Sequence, residues 1–176
     1  DAGVRHLVLL GRSGASPEAR LSIGDLEQRG VRVAVRSCDV SCRDQVAEVL
    51  ATARAEMPPL RGLFHLAGIL DDGILREQTR ERFDRVLAAK AVGAWHLHEL
   101  TREDPLDAFV LFSSAASLLG SPGQGNYAAA NAFLDALAHH RHSEELPALS
   151  VNWGAWAEVG MAAQLKDSEG ERWATA

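Results

Sequence analysis

Cysteine is scarce in this 176-residue chain: only Cys38 and Cys42 occur, four residues apart and without companion ligands. That excludes a disulfide framework and a cysteine zinc site, and it suits a reducing compartment. The seven histidines are no better organised as ligands. His96 and His98 stand two apart, and His139, His140 and His142 crowd a polar helix end; most are read as surface imidazoles, so no metal is expected. Long hydrophobic runs are missing as well, since nothing approaches the roughly 20 apolar residues that span a bilayer. The opening Asp1-Ala2-Gly3-Val4-Arg5 is no signal peptide, so the expected location is cytoplasmic. Basic charge is not in excess: 18 Lys+Arg against 24 Asp+Glu give a net charge of −6, which makes nucleic acid an unexpected partner. No internal repeat, low-complexity tract or linker divides residues 1–176, which are read as a single domain.

What is present is an ordinary globular composition, 47% hydrophobic, in a chain long enough to bury a core without staples. Short apolar runs alternate with stretches of helical periodicity, the pattern of an α/β protein with a parallel sheet. Strands are expected at His6–Leu10, Val31–Val35, Leu60–Leu66, Ala108–Phe112 and Ala148–Trp153. Helices are expected from Pro17 to about Arg29, where Gly30 stops the run, and from about Ser41 to Glu56, ahead of Pro58-Pro59. A longer helical stretch runs from about Arg76 to Thr101, with an irregularity near Gly93. The helix expected from Ala128 to Arg141 is apolar nearly all round and is read as well buried.

The most specific feature lies after the fourth strand. Ser114 follows Phe109-Val110-Leu111-Phe112-Ser113, at the carboxyl end of a strand, where open α/β sheets place their ligand crevice. Tyr127 comes thirteen residues later, in Gln124-Gly125-Asn126-Tyr127-Ala128-Ala129-Ala130-Asn131. Tyr127 and Asn131 are four apart and share a helix face. A core-facing Tyr beside a helix-face Asn would explain a solitary pair; the Gly-rich approach Gly120–Gly125 and the hydroxyl of Ser114 ahead of it favour function.

These residues resemble the ketoreductase domains of modular polyketide synthases, a branch of the short-chain dehydrogenases/reductases. The resemblance runs from Leu7 to Met161 in several ordered blocks: Leu9-Leu10-Gly11-Arg12-Ser13-Gly14, Cys38-Asp39-Val40, Phe64 to Gly73, Lys90 before Gly93–Thr101, Phe112-Ser113-Ser114, Tyr127–Ala132 and Trp153-Gly154-Ala155-Trp156. In the wider superfamily a Lys sits four residues after the Tyr; here Asn131 holds that place and Lys90 is the matching lysine, an exchange similar to the polyketide and animal fatty-acid synthase branch. The resemblance implies a Rossmann-like doubly wound parallel sheet with helices on both faces. It also implies that the chain starts at the second strand of that fold, without the central first strand and its glycine-rich loop, and stops before the fold's end. Losing that strand would open the sheet between two neighbours and remove the pyrophosphate seat.

The implied chemistry is reduction of a ketone, which needs a hydride at carbon, a proton for the developing alkoxide and donors aimed at the oxygen. Ser114 would donate a hydrogen bond and Tyr127 the proton. Lys90 would stabilise the phenolate, a phenol otherwise having a pKa of about 10, and Asn131 would orient Lys90 or a water. Without the family match, Lys90 reads as one exposed helix charge among many.

The implied cofactor is NADPH. Arg12-Ser13 resembles the clamp for its 2′-phosphate, with a solvated loop arginine as the plain alternative. Asp39, with Val40 beside it, resembles the residue near the adenine, and Ala67-Gly68 the small-residue floor under the cofactor. The G-x-G-like run at Gly120–Gly125 lies beside Tyr127, not between a first strand and helix, and is rejected as a dinucleotide fingerprint.

The implied function is NADPH-dependent reduction of a β-ketoacyl chain on an acyl carrier protein, alongside the other domains of a multidomain synthase. Alternatives are a fatty-acid synthase reductase, a stand-alone reductase, or a structural module that has lost reduction. Arg76, Arg80, Arg82 and Arg85 would offer a carrier-protein patch, although Glu77, Glu81 and Asp84 interleave them as on a solvated face. Leu70-Asp71-Asp72 resembles the B-type motif that yields a D-configured hydroxyl, with a polar turn before Gly73 as the alternative. The A-type tryptophan, eight residues before the Tyr, would fall at position 119, which is Leu119. Gln124 belongs to the same substrate side, and Ala129 in place of a proline matches the non-epimerising subtype.

Overall fold

The computed structural model describes residues 3–154. The chain alternates strand and helix: β1 (His6–Gly11), α1 (Pro17–Gln28), β2 (Arg32–Ser37), α2 (Arg43–Glu56) and β3 (Gly62–His65). A 3₁₀ turn (Leu75–Glu77), α3 (Arg80–Leu87), a π-helical turn (Ala88–Val92) and α4 (Gly93–Leu100) follow, then β4 (Ala108–Ser114), α5 (Ala116–Leu119), α6 (Gly125–Ser143) and β5 (Leu149–Trp153). Ser16 starts α1 by accepting the Ala19 N–H at 3.1 Å, with Pro17 in the first turn, where its missing N–H costs nothing.

All strand pairs are parallel, and they fall into two groups: β1 with β2, and β3-β4-β5 with β4 in the centre. The expected α/β architecture is therefore present, and among the described residues β1 and β3 do not pair with each other. Apolar side chains on and just after β1 and β3 are exposed: Phe64 is 61%, Leu9 39% and Leu66, which follows β3, 59% exposed. One hydrophobic core nevertheless joins the halves, with Cys38, Val46 and Leu50 packed in the same cluster as Leu63, Leu97, Phe109, Leu111 and Leu134.

Several local features refine or differ from the expectation. The stretch from Arg76 to Thr101 is not one helix, and the irregularity near Gly93 is a π turn, whose wider pitch inserts an extra residue into the helical path. α6 starts at Gly125, earlier than expected, so Tyr127 lies inside its first turn. That helix is not buried all round either: Ala130, Leu134, Leu137, Ala138 and Arg141 form a buried stripe, whereas Phe133 is 36% exposed. Its abundant alanines let both faces be apolar without requiring burial. The short α5 had no periodic signal in four residues. The expected tail, with Ala155 and Trp156, lies outside the described residues.

The ends of β2 and β3 converge on Gly93. A Cβ there would sit 2.7 Å from Val40 Cγ2 and 3.3 Å from His65 Cε1. Gly93→Ala should therefore destabilise the protein by about 1–3 kcal/mol through overpacking, despite the better helix propensity of alanine. Adding Val40→Ala should recover part of that loss as a positive coupling between the two sites, read from urea-unfolding midpoints.

Candidate active site

Parallel pairing brings the carboxyl ends of β3, β4 and β5 to one rim, where His65 stands opposite Leu111 and Ser114 opposite Trp153. Ser114 ends the central strand. Its Oγ accepts the Ala116 N–H at 3.2 Å, which opens α5 and leaves the hydroxyl hydrogen to be donated elsewhere. The chain's single tyrosine, Tyr127, stands half-buried in the first turn of α6. Asn131, one turn on and fully buried, donates from Nδ2 to the Tyr127 carbonyl at 2.8 Å, and its Oδ1 is buried without a partner among the described residues. Ser113 Oγ donates to the Asn131 carbonyl at 3.2 Å, which ties the end of β4 to α6.

Lys90 is not an exposed helix charge. It sits in the π turn at 3% exposure, donates from Nζ to the Phe112 carbonyl at 2.8 Å, and places that nitrogen 5.5 Å from the centre of the Tyr127 ring. Burial pushes the Lys90 ammonium down to about 8, opposed by the negative charge of Asp135. Gly68 makes the room: a Cβ there would lie 3.0 Å from Lys90 Cε. The residue expected to floor a cofactor therefore also floors the lysine. The structure thus gathers Ser114, Tyr127, Asn131 and Lys90 around one rim.

Several contributors carried no clear sequence signal. His65, 2% exposed, donates from Nε2 to the Lys90 carbonyl at 3.0 Å. Burial brings its pKa down to about 4, with the Lys90 charge acting in the same direction. Asp135 accepts from Ser117 (2.6 Å), Ser150 (2.5 Å) and Asn152 (2.9 Å). Burial works against its charge, but these hydrogen bonds together hold it below the usual carboxylate range. Asn152 also reaches Ser113 Oγ (3.3 Å) and the Ser114 carbonyl (3.4 Å), so the anion and the rim share one network.

The loop after β3 carries Leu70, Asp71 and Asp72 towards α6, with Gln124 donating to Asp72 Oδ2 at 2.9 Å. Leu119, on α5, is 85% exposed. At the far side of the rim, Arg12 and Ser13 are exposed after β1, next to Asp39 after β2. Hydrogen bonds from Ser41, aided by the Arg12 charge, hold Asp39 below its ordinary value. Val40 packs into the core against Gly93, and its carbonyl meets His96 Nδ1 at 3.2 Å. The exposed guanidinium and hydroxyl of Arg12-Ser13 are donors that could take up an anion. Ala67 and Gly68 are half-buried beside the lysine.

A different polar cluster joins α4 to α6: His98, His140 and Glu144 offer ligand atoms within 4.8 Å of one another. His98 Nδ1 accepts from Arg141 Nη1 at 3.0 Å, so a neutral His98 carries its proton on Nε2. Arg102 meanwhile occupies Glu144 at 2.7 Å. This donor chemistry suits an ion-pair network better than a metal. Two histidines, His65 and His98, are thus core residues, not surface imidazoles. No helix among the described residues is long and apolar enough to cross a membrane.

A parallel α/β fold with serine, tyrosine and a buried lysine on one carboxyl rim is the architecture of the short-chain dehydrogenases/reductases. The KR domain family matches residues 1–158. Polyketide synthase GfsB of Streptomyces halstedii is 54% identical over 170 residues, which are 96% of this chain and 3% of that protein. Phenolphthiocerol synthesis polyketide synthase type I Pks15/1 of Mycobacterium marinum is 49% identical over 169 residues, 95% of this chain and 8% of that protein. A solved structure of A-type ketoreductases from a modular polyketide synthase shares 49% identity at a TM-score of 0.85, covering 94% of this chain and 35% of that chain. The chain therefore spans a small part of these synthases and about a third of the solved ketoreductase. It belongs to the KR domain family, the ketoreductase domains of modular polyketide synthases.

His65 makes stability pH-dependent. Its pKa of about 4 in the folded protein lies below its ordinary value, so the unfolded chain binds the extra proton first as pH falls. Its contribution should be complete above about pH 6.5 and be lost progressively as pH falls through 4, by an amount on the order of 3 kcal/mol. His65→Gln should flatten that slope in urea unfolding followed between pH 7 and pH 4.

Proposed function

We propose that this chain carries the catalytic rim of an NADPH-dependent β-ketoacyl reductase of a polyketide synthase, acting on a β-ketoacyl thioester held by an acyl carrier protein, in the cytoplasm and alongside the synthase's other domains. The observation that carries this reading is the buried Lys90 ammonium beneath the Tyr127 ring, on the rim that Ser114 completes. NADPH, when bound, supplies the hydride to the carbonyl carbon. Ser114 then donates a hydrogen bond to the oxygen as charge develops, and Tyr127 gives it the phenolic proton. Lys90 stabilises the resulting phenolate, and the orphaned Oδ1 of Asn131 offers an acceptor for Lys90 or a relay water. Arg12 and Ser13 would hold the 2′-phosphate, and Asp39, Val40, Ala67 and Gly68 would line the adenosine and strand-end side.

The product is a D-configured β-hydroxyl, with no epimerisation step. Leu70-Asp71-Asp72 and Leu119 support the B-type assignment although the solved neighbour above is described as A-type. Type is set by the few side chains bordering the groove, and overall identity averages over positions far from it.

Chiral chromatography of the product formed from a β-ketoacyl thioester and NADPH tests the reaction and its face together. The D-hydroxy product is expected, and a predominantly L product overturns the B-type assignment. Tyr127→Phe should abolish most reduction with NADPH affinity nearly unchanged, while Ser114→Ala should slow turnover by about 10²- to 10³-fold. Near wild-type turnover in Tyr127→Phe would remove the tyrosine from the mechanism. Arg12→Ala should weaken NADPH much more than NADH in a binding titration, because only NADPH carries the 2′-phosphate; equal losses would point to a folding defect instead.

A further inference from the structure

The loop bearing Leu70, Asp71 and Asp72 is clamped from α3 and from the start of α6, two helices that also pack against each other. From α3, Arg82 donates through Nε to Asp71 Oδ1 and through Nη2 to the Asp72 carbonyl, both at 2.7 Å. A third nitrogen, Nη1, reaches the Glu77 carbonyl at 3.3 Å, and Arg85 Nη2 lies 2.6 Å from Asp71 Oδ2. The guanidinium of Arg82 fills the space over Gly73, where a Cβ would strike it. From the start of α6, the Gly123 carbonyl accepts the Gly73 N–H at 2.8 Å, and Gln124 holds Asp72.

Asn126 connects this clamp to the tyrosine. It is fully buried, its Oδ1 accepts the Tyr127 N–H at 2.8 Å, and its Nδ2 donates to the Asp71 carbonyl at 2.8 Å. One rigid amide therefore fastens the backbone of Tyr127 to the backbone of the loop. The N–H of Tyr127, in the first turn of α6, has no partner within the helix, so Asn126 satisfies an orphan donor and makes the tether in the same act. An amide is the one side chain of this size that offers an acceptor and a donor on opposite sides.

We propose that Asn126 is a positioning residue that sets the distance between Tyr127 and the Asp71-Asp72 loop, and through it which face of the bound ketone is presented, with Arg82 as its counterpart on α3. The proposal rests on the reductase reading above. Tyr127 places the proton on the ketone oxygen, and the loop borders one entrance to the groove. A tether that loosens admits the substrate in both orientations and misplaces the oxygen relative to the phenol.

The test uses the full-length protein that carries this chain, with NADPH and the N-acetylcysteamine thioester of a 3-ketoacyl chain. Asn126→Asp keeps the acceptor for the Tyr127 N–H and replaces the Nδ2 donor by an oxygen that repels the Asp71 carbonyl. α6 stays capped while the tether is cut. Arg82→Lys keeps the charge and loses the fork. Expected for both variants are a fraction of the minor hydroxy enantiomer raised about tenfold and kcat/KM lowered about 10- to 100-fold, with NADPH affinity within about twofold of wild type. The double variant should exceed neither single variant by much, because both act on one loop. An unchanged enantiomer ratio in a folded variant, with only thermal stability reduced, overturns the positioning role. If Asn126→Asp does not fold, Arg82→Lys decides by the same ratio. A wild-type protein that reduces no β-ketoacyl thioester overturns the reductase reading and this proposal with it, whereas wild-type reduction with unaltered variants overturns this proposal alone.

Discussion

Burying one ammonium organises much of the rim. A lysine taken out of water is costly unless its donors are met and a counter-charge is near. Lys90 meets both conditions through the Phe112 carbonyl at the end of the central strand and the field of Asp135 across the network. Its backbone is held by His65, its side chain rests on Gly68, and the π turn carries it inward. These partners come from β3 and the loop after it, from β4 and from α6, so the buried charge draws on all three elements at once. The residual cost of burial lowers the proton affinity of the lysine to about 8, near the range in which a proton donor can cycle.

The polar groups around that charge form two rigid units and not a general wetness. Asp135, Ser117, Ser150 and Asn152 lock β5 to α5 and α6 behind Ser114. Arg82, Asn126 and Gln124 lock the loop after β3 to the front of α6. Tyr127 lies between them, so its backbone is set from both sides while its side chain remains half-buried at the rim.

Much of this was legible in the chain itself, for identifiable reasons. The five strands are short, largely apolar runs bounded by turn residues, and their expected positions lie within a few residues of the observed ends. Ser114 was legible because it follows such a run. The interior of the rim was less so. A π turn has no 3.6-residue period, so the burial of Lys90 could not be read from spacing, and only the family resemblance singled it out. The start of α6 is less legible because Gly125 and Asn126 are poor helix formers, while the Asn126 amide is engaged with the Tyr127 N–H and the Asp71 carbonyl, partners that spacing does not reveal. His65, His98 and Arg141 are polar residues whose burial depends on partners distant in sequence: Lys90 for the first, each other for the remaining two, and for Arg141 also the Phe109 ring at 3.9 Å. Such pairings do not exist until the fold brings them together.

The outer edges of β1 and β3 are unpaired among the described residues. Each strand keeps a row of backbone donors and acceptors on the side away from its own partner, next to exposed Leu9, Phe64 and Leu66. Such an edge is a template for any extended segment that arrives, whether from the same polypeptide or from a neighbouring molecule. Neither strand carries a proline, and β3 carries no lysine or acidic side chain, to deter an incoming strand. Among the described residues, these two edges are therefore the places where a further strand would pair.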